Sequence, residues 1–213
     1  VGCVNSIARR LALETGAIAL THPFGCSQLG GDLEDTRRIL CGLALHPNAG
    51  GVLVLSLGCE NNTPQSFRRL LCENGADENR LRFLTVQDTA DEIKEGIKLL
   101  EELKENAKKD RREEISLDRL VIGLKCGGSD GLSGITANPL VGKISDRIIA
   151  YGGSAVLTEI PECFGAESIL LGRCADEDVY RRLIKCIEDF KDYYRANGEP
   201  IDENPSPGNK EGG

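Results

Sequence analysis

No methionine occurs anywhere in the 213 residues, which open at Val1-Gly2-Cys3 and close at Lys210-Glu211-Gly212-Gly213. Both features are expected of a piece of a longer protein. No apolar run approaches the roughly 20 residues that a membrane-spanning helix needs, so no membrane partner of that kind is expected. Positive charge is in deficit: 26 basic against 34 acidic side chains leave a net charge of −8, which argues against a general nucleic-acid binder. The one dense basic cluster, Lys108-Lys109-Asp110-Arg111-Arg112, runs straight into Glu113-Glu114 and reads as a solvated turn. None of the nine cysteines forms a C-x-x-C pair, so a ribbon-type structural zinc site is not expected. The glycine spacing Gly127-Gly128-Ser129-Asp130-Gly131 fits neither the dinucleotide fingerprint nor a P-loop.

What is present is ordinary for a soluble globular protein, with 40% hydrophobic and 28% charged residues. Nine cysteines in a short secreted chain would suggest disulfides; diluted over this length they favour a reducing cytoplasm, with some thiols buried and a few acting as ligands. Cys41, Cys72 and Cys186 fall within helical patterns and read as small core residues.

Apolar spacing predicts helices over 4–14, 33–45 (with Asp32 as cap), 64–72, 140–150 and 176–197, and a long charged helix over 89–109 whose Ile93, Ile97, Leu100 and Leu103 form the buried stripe. Short apolar runs predict strands at Ala17–Thr21, Val52–Leu57, Leu81–Val86, 120–124 and Ser154–Thr158. Val52 to Leu57 is the clearest, an unbroken run typical of a parallel strand covered on both faces. The alternation places the chain in the α/β class, with a mostly parallel sheet flanked by helices in a Rossmann-like three-layer arrangement. Residues 1–199 are expected to form the catalytic-type domain, with room for two halves meeting near 110–118. The Pro/Gly-rich tail, 200–213, would lead into a missing C-terminal region.

Chemistry concentrates at the strand ends. In a parallel sheet all strand C-termini face one edge, where open α/β sheets hold their ligands. His22 and Cys26, Cys59 and Glu60, Cys126 and Asp130, and Glu159 all follow strand-like runs. The segment Lys125 to Pro139 is the richest, with glycines that let backbone approach a ligand and Ser129, Ser133, Thr136 and Asn138 as small polar groups. Two site chemistries fit. Histidine with carboxylates and a thiolate suits iron, manganese or zinc with open positions for substrate. Alternatively, Cys26, Cys59 and Cys126 suit an iron–sulfur cluster. The plainer reading is that these cysteines fill tight turns, and that His22 and His46 belong to their own turns.

The same residues carry a family resemblance. Val1-Gly2-Cys3-Val4-Asn5, His22-Pro23-Phe24-Gly25-Cys26-Ser27-Gln28, Gly58-Cys59-Glu60-Asn61-Asn62, Cys126 to Pro139, Leu157 to Glu162, Phe164-Gly165-Ala166-Glu167 and Glu203 to Lys210 resemble the altronate dehydratase (altronate hydrolase) family, which also contains the galactarate dehydratases. The Cys-Val-Asn opening and the Gly-Cys-Ser-Gln turn are more similar to the altronate branch. The resemblance implies a lyase that removes water from a small-molecule sugar acid, D-altronate going to 2-dehydro-3-deoxy-D-gluconate, with Fe2+ or Mn2+. It also implies a β-rich domain before this chain and a further α/β region after it. On that reading His22, Lys125, Asp130 and Glu159 are the candidates for catalysis. Cys26, Cys59, Glu60 and Cys126 are candidate metal ligands, with Asp130 a further one. Gln28, Asn61, Ser129, Ser133, Thr136 and Asn138 would grip the substrate. The alternatives are a galactarate or related sugar-acid dehydratase and a non-catalytic sugar-acid-binding module, and association into a homo-oligomer is left open.

Overall fold

The structure, a computed structural model, describes residues 1–128 and 130–203; Ser129 and the tail motif Asn204 to Lys210 lie outside the described residues. The chain divides into two compact units, the first Val1–Arg112 and the second from Glu113 onward.

The first unit comprises α1 (Asn5–Thr15), α2 (Gly30–Ala44), β1 (Val52–Ser56), α3 (Pro64–Glu73), β2 (Leu81–Thr85) and α4 (Glu92–Ala107). β1 and β2 pair in parallel, from Val52 opposite Leu81 to Ser56 opposite Thr85. The helix starts follow local chemistry. Thr63 takes the Ser66 N–H at 3.2 Å ahead of Pro64, and Asp91 takes the Lys94 N–H at 2.9 Å. Cys41, Phe67, Leu71 and Leu81 form the buried core, with Val52, Val54 and Phe83 packed against it. α1 lies on α4, where Leu11, 1% exposed, sits over Gly96. A Cβ on Gly96 would stand 2.7 Å from Leu11 Cδ1, so this close approach requires glycine in mid-helix.

The second unit comprises β3 (Val121–Leu124), α5 (Ala137–Ala150), β4 (Ser154–Leu157), α6 (Glu167–Leu171) and α7 (Glu177–Ala196), with a 3-10 turn at Ile160–Cys163 between β4 and α6. β3 and β4 pair in parallel and in step, ending with Leu124 opposite Leu157. α5 packs on β4, and α7 packs on the 3-10 turn and α6. Asp176 starts α7 by taking the Val179 N–H at 2.8 Å, and Ile187 on that helix is buried.

The chain is therefore α/β with parallel strands. Those strands form two two-stranded sheets, one in each unit, in place of the single sheet that the alternation suggests. The Rossmann-like three-layer arrangement stays an expectation. Ala17–Thr21 is not a strand among the described residues, and Ile18 is 87% exposed. A strand exists by pairing, and this apolar run has no strand beside it here. α2 begins at Gly30, so Asp32 lies in its first turn rather than capping it. Cys41 is buried, whereas Cys72 and Cys186 lie on the exposed faces of α3 and α7. No helix among the described residues is long and apolar enough to cross a membrane.

Candidate active site

The pairing of β3 with β4 brings two turns side by side in the second unit. Thr158 extends the pairing by one residue, donating its N–H at 3.2 Å and its hydroxyl at 2.8 Å to the Leu124 carbonyl. Lys125 and Cys126 then leave β3 next to Glu159 leaving β4. One Glu159 carboxylate oxygen accepts from Lys125 Nζ at 3.0 Å, and the other from the Cys126 N–H at 2.9 Å. Glu159 has φ 63°, the one left-handed non-glycine residue among the described residues. Such strain persists only where the surroundings impose it, and here the carboxylate is anchored at both oxygens.

The Lys125 ammonium, and after it the Cys126 N–H, hold the Glu159 carboxyl below its usual value. The same pairing raises Lys125 above its own. Both partners are therefore charged at neutral pH, and Lys125 rests as a cation rather than a base. Glu162, one turn on, completes a group: Cys126, Glu159 and Glu162 each offer a ligand atom, all within 4.8 Å of one another. Donors sharing one ion stand about 3–4 Å apart, given bonds of roughly 2.0–2.3 Å, so modest side-chain rotation would close the group on a cation. A carboxylate has about four lone-pair directions, so Glu159 keeps acceptor capacity beyond its two bonds. The donor set fits a divalent metal.

The glycine-rich loop is otherwise occupied with itself. Asp130 accepts the Leu132 and Ser133 N–H groups, each at 2.8 Å; the Ser133 hydroxyl donates to the Asp130 carbonyl, and that of Thr136 to the Leu132 carbonyl. These bonds make a turn leading into α5, and Asn138 lies exposed in that helix's first turn.

The remaining candidates sit in the first unit. The Asn61 N–H donates to the Cys26 carbonyl at 3.1 Å and the Asn61 amide to the Gln28 carbonyl, tying the two turns together. The Gln28 amide itself donates to Thr36 at 2.8 Å. Asn5 donates to the His22 carbonyl at 2.8 Å, and His22 Nδ1 accepts the Phe24 N–H at 3.2 Å. With Nδ1 accepting, neutral His22 carries its proton on Nε2. Burial lowers the His22 pKa, which favours that neutral form. His46 makes the same bond to Asn48 within its own turn.

Glu60 is only 7% exposed, and its two oxygens accept from the Leu57 N–H at 2.9 Å and the Gly58 N–H at 2.7 Å. Burial alone would raise its pKa, but the N–H groups of Gly58, Glu60 and Leu57 outweigh that and hold the carboxyl below its usual value. His22, Glu60, Asn62 and Asn5 line a cleft of about 680 Å³ along β1. The Asn62 amide oxygen is buried with no hydrogen-bond partner among the described residues.

Cys26 is half-buried beside Ser27 and Cys59 is exposed. Among the described residues neither they nor Glu60 join a three-donor group. The sequence pattern passes over two residues, Glu162 and Asn62. The spacing Glu159-Ile160-Pro161-Glu162, two carboxylates across a proline turn, is a signal for the first.

Residues 1–108 match the second domain of the D-galactarate dehydratase/altronate hydrolase family, and 117–213 match the C-terminal domain of D-galactarate/altronate dehydratase. The chain belongs to this family. Its family relatives include the altronate dehydratase of Bacillus subtilis (strain 168), 54% identical, and that of Escherichia coli (strain K12), 50% identical. Each alignment covers 100% of this chain and 45% of the relative, so the chain spans about half the length of the curated relatives it matches. A galactarate dehydratase (L-threo-forming) of Escherichia coli (strain K12) is 33% identical over 83% of the chain and 35% of its own length. No solved structure matches the chain.

Proposed function

We propose that the chain is the substrate-handling portion of a hydro-lyase that dehydrates a sugar acid with a divalent metal, Fe2+ or Mn2+, held by Cys126, Glu159 and Glu162. The observation that carries this reading is the convergence of those donors on a strained strand-end turn. The higher identity to the altronate-named relatives than to the galactarate-named one favours D-altronate as substrate and 2-dehydro-3-deoxy-D-gluconate as product. Two carboxylates beside one thiol speak for a mononuclear ion over an iron–sulfur cluster, which needs several thiolates. Cys3, Cys26, Cys41, Cys59, Cys72 and Cys163 are free thiols, which suits a reducing cytoplasm.

Dehydrating an aldonate means removing the weakly acidic proton beside the carboxylate and expelling the neighbouring hydroxyl. A bound metal supplies Lewis-acid stabilisation of the negative charge that develops on the substrate. Lys125, held as an ammonium by Glu159, is set to stabilise an anion or protonate a departing hydroxyl, not to abstract a proton. Neutral His22 offers its Nε2–H as a donor. Asn62, in the cleft of the first unit, keeps an amide oxygen with no hydrogen-bond partner among the described residues. Asp130, Ser133 and Thr136 shape the loop, and with Asn138 form the polar surroundings in which a polyhydroxy acid would be held.

The test uses the full-length enzyme prepared anaerobically and analysed for iron, manganese, acid-labile sulfide and turnover of D-altronate against galactarate. Expected are one metal per chain, no labile sulfide, preferential altronate dehydration, and loss of metal and activity in Cys126→Ser, Glu159→Gln and Glu162→Gln. Full metal retention in all three variants would remove the site. Altronate binding without turnover would make the protein a sugar-acid-binding module.

A further inference from the structure

Two of the three donors, Glu159 and Glu162, ride on one short turn, and only the first is fastened by its own side chain. Among the described residues no hydrogen bond holds the Glu162 carboxylate. Its position is therefore set by the backbone of the 3-10 turn Ile160–Cys163, where the Glu162 N–H bonds the Glu159 carbonyl at 2.9 Å. The upstream end of that turn is fixed by Thr158 on β3 and by Glu159 on Lys125 and Cys126 just beyond it. The downstream end is fixed on α7. Lys191 Nζ lies 2.8 Å from Glu167 Oε1, with both side chains largely shielded, at 16% and 24% exposed. The same ammonium stands 5.4 Å from the centre of the Phe164 ring, and the Phe164 and Tyr194 ring centres lie 6.4 Å apart in a T-shaped arrangement. Lys191, and after it the N–H groups of Glu167 and Gly165, hold the Glu167 carboxyl down to about 2, so the pair stays charged throughout any assay range.

We propose that Lys191 is a positioning residue for the Cys126–Glu159–Glu162 group: by clamping Glu167 and Phe164 it fixes the turn that presents Glu162. The inference rests on the metal reading of that group. The clamp lies beyond Glu162 in sequence and on a different helix, so it acts through the turn's backbone and touches no ligand atom. Outer-shell groups that bond metal ligands directly typically change metal affinity by about 10- to 100-fold when removed, and a clamp acting one step further out is expected at the lower end of that range.

Anaerobic Co2+ titration of the full chain tests this, read by the thiolate-to-cobalt charge-transfer absorption that reports Cys126 ligation. Lys191→Met is expected to weaken Co2+ binding by about tenfold or more with unchanged far-ultraviolet circular dichroism, and Lys191→Arg to restore it. Glu167→Gln should reproduce the loss, and the double variant should add nothing further. Glu188→Gln, which removes Lys191's more exposed second partner, should leave affinity intact. Wild-type affinity in Lys191→Met, or in Glu167→Gln should Lys191→Met fail to fold, would overturn the proposal. So would an equal loss in Glu188→Gln, which would report general loosening of α7. Absence of the absorption band in the unchanged chain would instead remove the metal reading, and the proposal with it.

Discussion

Glu60→Gln separates a carboxylate built into the fold from one that is merely nearby. The two Glu60 oxygens accept two different N–H groups, Leu57 at 2.9 Å and Gly58 at 2.7 Å, from a side chain 7% exposed. Glutamine has one oxygen to offer and would aim its own NH2 at the second N–H. A stranded buried donor costs about 1–3 kcal/mol, which is roughly a 5- to 150-fold increase in local opening. The assay is amide hydrogen exchange resolved by peptide, reading β1 and the 57–62 turn at pH 7, since two units make a single unfolding midpoint ambiguous. The pH dependence has a fixed sign. The folded carboxyl lies below its usual 4.5, so its contribution is fully present above that value and is lost as pH falls through the lower folded value. Protection of β1, corrected for intrinsic exchange, should therefore decline below pH 4.5 in the unchanged chain and decline less in Glu60→Gln. Equal protection in the two proteins at pH 7 would refute the reasoning and leave Glu60 free for another role.

Gly96→Ala should destabilise the first unit by about 1–3 kcal/mol, because its methyl would lie 2.7 Å from Leu11 Cδ1; Leu11→Ala should relieve that clash, so peptide-resolved hydrogen exchange of α1 and α4 in the double variant should show less than the sum of the two losses. For His22, burial lowers the pKa from 6.5, so the neutral form prevails at pH 7. If that form is the working one, kcat/KM of the full-length enzyme falls as pH drops through the lowered value, and His22→Gln erases that acidic limb. An unchanged limb in the variant would take His22 out of the reaction.

The elements that sequence alone reveals are those whose signals are local. Thr63-Pro64, Asp91 and Asp176 mark helix starts by their own side-chain bonds, and the apolar run of β1 needs no neighbour to be recognised. Ala17–Thr21 fails because a strand is a property of two segments. Cys72 fails more subtly: it adjoins Leu71, which is fully buried, yet the helical turn carries the thiol outward. Cysteine is small enough to be tolerated on either face, so its identity does not report which one it takes.

At the site, the strand-end rule finds Lys125, Cys126 and Glu159, because each is within two residues of a strand's last pair, Leu124 and Leu157. It stops short of Glu162, whose place depends on the left-handed turn at Glu159, and the amino-acid type there gives no warning of that backbone. Composition likewise cannot separate a ligand-binding loop from a self-bonded one: Asp130, Ser133 and Thr136 have the chemistry to hold a polyhydroxy acid, and they spend it first on their own backbone. That ordering has a functional consequence. A loop whose polar groups are already satisfied gains little by contacting substrate through them, so the affinity for a charged, hydroxylated ligand should rest chiefly on groups with capacity to spare. Among the described residues of the second unit these include the Lys125 ammonium, the remaining acceptor capacity of Glu159, the Glu162 carboxylate and the Asn138 amide.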